Sequence, residues 1–373
     1  MQSLAILQDS VRELKSRSLF WVTLSISAVV SIALFGTIGF DEQGWYILGF
    51  STNESTLLRE GTPAARALMS WLFGGVLMWW WLTWGAIIVA LIVTAGTIPE
   101  FVSSGAIDLI LSKPISRARV FLIKIAGALM FTIATVSVTV AIAYVLLGMR
   151  FGMWFHHAWL AVPLVALQFL YLLTVMSVVG LITRSALAGL LATLFFWGLI
   201  SVVQFASNQM DKSIAEMQRT IQLNETRIAE IRGQADSAGR DVSQSEQSQI
   251  RRIESRMEPP QTLLESIRPW QTPLHVVELC VPKTGDIQKI VATQIDAPTF
   301  QELMMALQGF DPDEFAAMTG IDDEEMIQDM QETSVAGAKA VREVEPLTSI
   351  GSSLMFVSLV LGFAVWIFSR RDF

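Results

Sequence analysis

At 373 residues, with 52% hydrophobic and 16% charged side chains and a mean hydropathy of +0.50, the chain is too apolar for an ordinary water-soluble domain and reads as a membrane protein. The net charge of −8 is unevenly spread: residues 208–346 carry 25 acidic and 13 basic side chains, leaving 9 acidic and 13 basic for the rest. An acidic insert of that kind repels nucleic acid, which is excluded as a partner.

In chain order, Leu4, Leu7, Val11 and Leu14 share one face of a helix over residues 1–18, with Gln8, Arg12, Glu13 and Lys15 away from it, as in helices that lie in a membrane surface. Six apolar segments then meet the length of about 20 residues that a bilayer core of about 30 Å demands: 19–40, 71–97, 121–147, 158–182, 187–207 and 347–369. The first exceeds a signal peptide's apolar region, and no small-x-small cleavage site follows Gly39-Phe40, so it reads as a retained anchor. Charge is nearly absent within the spans, which argues against a proton or ion relay. Thr132, Thr135 and Thr139 on one face, with Gln168 and Gln204 elsewhere, suit hydrogen bonds between helices. The run Trp79-Trp80-Trp81 with Trp84 covers more than one helix face and predicts some lipid contact.

The insert reads as a separate domain at 208–346. Ile214, Met217, Ile221, Ile228 and Ile231, with Asn224 on the same stripe, form a coiled-coil seam that stops at Gly233–Gly239. A second stripe, Ile250, Ile253 and Met257, runs to Pro259-Pro260, so 208–258 is predicted to be a helical hairpin whose first arm, about 25 residues at 1.5 Å each, extends about 38 Å. A mixed α/β part is expected over 259–346. Leu274–Val281 and Ile287–Ile295 are rich in β-branched residues around Pro282–Asp286 and read as a strand hairpin, with Cys280 buried in its first strand. Thr299 with Glu302 forms a capping box, and Asp311-Pro312-Asp313-Glu314 opens a further helix. Asp322-Asp323-Glu324-Glu325 lacks the alternating ligands and glycine of a calcium loop and reads as a solvated helix start.

Cys280 is the only cysteine, which excludes a disulfide within the chain. His156 and His157 beside Trp154 read as interfacial packing, and His275 stands apart. With no phosphate-binding loop, no His-Glu-x-x-His and no Gly-x-Ser-x-Gly, the chain is expected to be no enzyme by itself: no catalytic residue, no bound cofactor and no metal. Basic residues set the orientation, because short loops rich in Lys and Arg stay in the cytoplasm. With both termini inside, Arg12, Lys15, Arg17, Lys113, Arg117, Arg119, Lys124, Arg184, Arg370 and Arg371 face the cytoplasm, against Arg59, Arg66 and Arg150 in short outer loops. The insert then lies outside.

Between the second and third spans, at 98–120, stands a polar loop. Pro99-Glu100-Phe101 opens it, Gly105 and Asp108-Leu109-Ile110-Leu111 follow, then Ser112-Lys113-Pro114-Ile115-Ser116-Arg117, with Arg119 and Lys124 leading into the next span. An acidic residue, a glycine, a Leu-rich turn and a Lys-Pro-Ile-Ser-Arg turn in that order resemble the cytoplasmic coupling loop of ABC exporter permeases of the second type. An amphipathic helix before the first span and a basic exit such as Phe368–Phe373 are similar to that family as well. The resemblance covers the six-span body and not the insert.

The expected fold is therefore an all-α polytopic membrane protein with six transmembrane helices and a large, mainly helical extracytoplasmic domain, some of it β, between the fifth and sixth spans. The resemblance implies a permease subunit in a bacterial inner membrane, paired with a second copy or a homologous permease and with two copies of a nucleotide-binding subunit that holds ATP and Mg. It implies an ATPase-coupling interface of Glu100, Gly105, Asp108, Leu109, Leu111, Lys113, Pro114 and Arg117, with Glu100 and Arg117 in polar contacts, the leucines packing and Gly105 permitting close approach. Two alternatives stay open: a mechanotransmitter through which no substrate crosses, and a membrane-anchored scaffold that works through an extracytoplasmic protein partner.

Overall fold

The structure, a computed structural model, describes residues 18–55, 57–99, 116–307, 332–333, 335–340, 342 and 344–370. The N-terminal surface helix, the Asp311–Glu314 helix start and the Asp322–Glu325 cluster lie outside the described residues. The chain divides into two compact units: one of Met1–Ser201, Cys280–Leu307 and Glu345–Phe373, the other of Val202–Leu279 and Gln308–Val344.

The first unit is a helical bundle. Among the described residues five helices are long and apolar enough to cross a membrane: α2 (Pro63–Thr94), α3 (Arg117–Phe151), α4 (Ala161–Thr183, entered through a tight turn at His156–Leu160), α5 (Ala186–Ser237) and α9 (Pro346–Arg370). The chain is thus a helical multi-pass membrane protein. Helix α1 (Ser18–Gly36) is as apolar but shorter, at 19 residues. Helix α4 is central: 67% of its span's most apolar window is buried within the chain, against 22% for α5 and 17% for α9, so these two are peripheral. Helix α1 packs along α3, and α3 and α9 pack on α4.

Local chemistry sets the helix limits. Thr62 caps α2 by accepting from Ala65 N–H at 3.3 Å, with Pro63 where a missing N–H costs nothing. Ser116 caps α3, accepting from Arg119 N–H at 3.4 Å, and Gly152 ends α3 at φ 67°. Arg150 donates to the carbonyls of Phe35 and Gly36, the last turn of α1, where a cation also meets the negative end of the helix dipole. Within α2, Leu72–Gly85 widens to bonds spanning five residues, such as Ala86 N–H to Trp81 O. Trp84 there stacks on Trp197 at 4.4 Å and Trp81 Nε1 donates to Ser27 Oγ, while Trp79 and Trp80 are exposed on the bundle's exterior.

The polar residues of the spans are buried, but their use differs in part from expectation. Gln168 Nε2 donates across to Thr83 O at 3.4 Å, and Ser31 Oγ reaches Thr139 O at 3.3 Å. The hydroxyls of Thr135 and Thr139 instead bond back to Phe131 O and Thr135 O of their own helix, the usual resort of a threonine in a helix with no partner opposite.

Three short strands follow α1: β1 (Ile38–Phe40), β2 (Gly44–Ile47) and β3 (Phe50–Glu54), an antiparallel meander with Gly39 opposite Tyr46 and Ile47 opposite Phe50. The Tyr46 ring lies where a side chain on Gly39 would stand. Sequence patterning does not foretell these strands. It errs the other way farther on, where both segments read as a strand hairpin are helical. Leu274–Cys280 completes α6 (Gln244–Cys280), and 287–294 belongs to α7 (Asp286–Gln294). Cys280 is accordingly the last residue of a helix, not part of a strand. In α7, Ile287, Ile290 and Val291 repeat at helical spacing and are buried, so packing overrides β propensity. Helices α7 and α8 (Phe300–Leu307) pack on the bundle although their composition groups them with the insert. Gly74 of α2 admits the chain after α7: a Cβ there would stand 2.9 Å from Ala297 Cβ. The Thr299–Glu302 capping box forms, with Thr299 N–H to Glu302 Oε2 at 2.6 Å and Glu302 N–H to Thr299 Oγ1 at 3.2 Å.

In the second unit the helical hairpin is present and longer than expected. Ile228, Ile250, Ile253 and Met257 are buried together with Ile231 and Val242 against them, and each such side chain contributes about 1.5–3 kcal/mol. Helix α6 passes Pro259, Pro260, Pro269 and Pro273 without ending, whereas a stop at Pro259-Pro260 was expected. Before the prolines Arg232 of α5 pairs with Glu254 at 3.7 Å, and beyond Pro259-Pro260 the contacts along α5 continue, with Asp211 accepting from Gln271 at 3.2 Å and facing His275 Nε2 at 3.4 Å. The turn between the helices has Gly239 at φ 61° with Arg240 N–H bonded to Ala235 O, a Schellman closure.

Candidate functional site

One end of the bundle gathers the basic side chains that sequence reading singled out. Helix α2 ends there and α3 begins there. Pro99 lies against Gly180 near the end of α4, where a Cβ on Gly180 would stand 3.0 Å from Pro99 Cγ. Phe121 of α3 meets Phe368 of α9 with ring centroids 5.3 Å apart, which brings the start of one helix beside the end of the other. Helices α4 and α5 turn over at Arg184-Ser185: Arg184 takes φ 54°, Ser185 Oγ accepts from Ala188 N–H, and Gly189 packs back on the Gly180 backbone, a small-to-small approach that lets the two helices close tightly.

Arg117, Arg119, Lys124, Arg184 and Arg370 therefore stand at this end, Lys124 buried and Arg370 over the Trp366 ring at 4.9 Å. Among the described residues of this unit every carboxylate lies at the other end: Asp41, Glu42, Glu54 and Glu60 between α1 and α2, then Asp286, Asp296, Glu302 and Glu345. The end is a cationic rim on an apolar bundle. It suits an acidic partner surface or anionic headgroups.

Of the residues assigned to the coupling interface, Arg117 is the first residue of α3 on this rim. Glu100, Gly105, Asp108, Leu109, Leu111, Lys113 and Pro114 lie outside the described residues; the segment they occupy leaves from Pro99 and returns at Ser116, both at this end. No group of three or more potential metal-ligating side chains occurs among the described residues.

The opposite end carries a polar cluster that sequence reading missed. Asp286 accepts from Ser349 Oγ at 2.5 Å and faces Lys283 Nζ at 3.8 Å and Lys289 Nζ at 3.7 Å, and Lys283 N–H donates to Ser353 Oγ at 3.4 Å. It pins α7 to α9. Spacing gave a usable sign, since Asp286 opens a helix and the lysines stand three residues to either side. At the same end Tyr144 hydrogen-bonds His156 Nδ1 at 2.9 Å and packs against Trp154 and Trp159. Compared with known proteins, the chain matches no family model, no curated protein and no solved structure.

Proposed function

We propose that the chain is the membrane-spanning permease subunit of an ATP-driven exporter of the ABC type, with hydrolysis carried out by two separate nucleotide-binding subunits. The observation that carries the reading is the cationic rim. The segment 100–115, whose residue order resembles a coupling loop, is anchored at both its ends on that rim, by Pro99 against Gly180 and by the Ser116 cap of α3. A groove on an ATPase that received this segment would act on the ends of α2, α3 and α4 together. Helix α1, at 19 residues and 1.5 Å each, is about 28 Å long and serves as the first of six spans. The rim faces the cytoplasm by the positive-inside rule, with both termini on the cytoplasmic side, and the membrane is the bacterial inner membrane. A second permease, identical or homologous, completes the subunit set.

Mechanotransmission is a second reading, favoured by one observation: α5 is a single helix from Ala186 to Ser237, so the fifth span and the first arm of the hairpin are one element. A stimulated ATPase rate on adding a transported substrate separates transport from this alternative. The proposal itself is tested by Glu100→Lys and Arg117→Glu. Each should weaken co-purification of the nucleotide-binding subunit or uncouple its hydrolysis from the work done, at unchanged permease yield, because neither change places a charge in hydrocarbon. Unchanged association and unchanged coupled activity in both variants would remove these residues from the mechanism. If no ATPase co-purifies with the wild-type chain, the scaffold alternative takes precedence.

A further inference from the structure

The meander after α1 ends in a tip whose residues do not suit water. Ile47, Leu48 and Phe50 are 40%, 69% and 75% exposed within the chain, and Leu48 and Gly49 occupy the tight turn at φ 53° and 86°. Two positive φ angles in a two-residue hairpin turn define the type that Asn-Gly or Asp-Gly normally fills. A leucine accepts strain there and gains nothing from an aqueous surface. The position of the tip suggests what it does meet. Leu48 N–H donates to Thr37 O at 2.8 Å and Ile47 pairs with Ile38, so the turn lies level with Gly36, the last residue of α1. Earlier along α1, Val29 and Ile32 are likewise apolar and 63% and 50% exposed.

Polarity is graded along the same direction. Asp41, Glu42 and Gln43 form the far turn, tightened by Asp41 Oδ1 accepting from Gln43 and Gly44 N–H, and the register places Glu54 beside Gly44 at that far end. Trp45 and Tyr46 come between, the residue types that favour the boundary of a bilayer. A second copy of this chain would not require the gradient to follow the membrane-crossing axis of α1, and a lipid interface does.

We propose that the β2–β3 tip dips into the bilayer interface beside the end of α1, placing Ile47, Leu48 and Phe50 among the first acyl-chain carbons and leaving Asp41 and Glu42 in water. The inference needs only a membrane around the bundle and is independent of the ATPase reading.

The experiment uses the full chain with Cys280→Ser, in phosphatidylcholine nanodiscs, with nitroxide labels at Leu48→Cys, Phe50→Cys and Asp41→Cys; Ile47→Cys is a further position should labelling at Leu48 unseat the turn. Collisions with oxygen, which concentrates in lipid, are compared with those of a water-soluble nickel chelate. At 47, 48 and 50 oxygen should dominate several-fold, and at 41 the nickel chelate should. Adding Leu48→Asn, which suits positive φ and preserves the turn, should remove at least half of the oxygen excess read at Phe50→Cys. Nickel access at 48 and 50 equal to that at 41 would overturn the proposal. So would exclusion of both reagents with dipolar broadening between labels, which would assign the tip to contact with a second copy.

Discussion

Replacing Asp286 by alanine should release α7 from the bundle while leaving the spans intact. The carboxylate is 15% exposed and accepts a hydrogen bond from Ser349 at 2.5 Å. A hydrogen bond to a charged group contributes about 1.5–3 kcal/mol. Lys283 and Lys289, at 3.8 and 3.7 Å, each lose the ion pair to Asp286, and two loose, partly wetted pairs of that kind add about 1 kcal/mol together. The sum, about 2.5–4 kcal/mol, raises the population of the detached segment roughly 50- to 1,000-fold at 1.4 kcal/mol per decade. Asp286→Asn retains an acceptor for Ser349 and should cost about half as much. Hydrogen exchange of residues 286–297, followed by mass spectrometry in nanodiscs, reads this directly, because local opening sets the exchange rate there. An increase of less than threefold in Asp286→Ala, or an equal increase in α1, would refute the reasoning.

Gly74→Ala forces a Cβ to within 2.9 Å of Ala297 Cβ and should cost about 1–3 kcal/mol in thermal stability, largely recovered by adding Ala297→Gly. Gly198→Ala, with nothing within 4 Å, should instead stabilise its helix by about 0.5–1 kcal/mol; equal effects at the two glycines would contradict the packing account. In the hairpin turn, Arg240 forms a two-pronged pair with Glu246 at 2.7 and 2.8 Å, and Ser243 N–H also donates to it, which together lower the Glu246 carboxyl from 4.5 to about 2. A folded-state value below the unfolded one makes this a stabilisation that is complete above about pH 4.5 and lost as the pH falls toward 2. A carbon-13 titration of glutamate-labelled chain, assigned with Glu246→Gln, should find that low midpoint; a midpoint near 4.5 would show the pair to be broken in solution.

The long elements were legible because their signal is long. Twenty continuous apolar residues leave one outcome in a membrane, and the Ile228, Ile250 and Ile253 stripes recur at a helical period that the hairpin core uses. What escaped were features whose signal is short or belongs to a partner. The strands of the meander are 3 to 5 residues each, and their pairing depends on Tyr46 meeting Gly39. Val276 and Val277 resembled strand residues, yet they stand in a helix that runs through four prolines alongside α5, a neighbour no local window contains. Arg150, an exception to the charge asymmetry, caps α1 from 114 residues away, a contact that follows from the fold alone. Asp286 is the same case, since its value depends on Ser349. The rim was legible in Arg117, Arg119, Lys124 and Arg184, and its closure by Pro99 on Gly180 and Phe121 on Phe368 was not.

The central claim, that the segment between Pro99 and Ser116 receives an ATPase, is tested most directly by a photo-reactive phenylalanine analogue at Leu109, with the same analogue at Ser237 as control. Irradiated in living cells, the Leu109 probe should capture a protein with a phosphate-binding loop, identified by mass spectrometry, and the Ser237 probe should not. Capture of such a protein at Ser237 and none at Leu109 would contradict both the coupling role and the orientation of the chain.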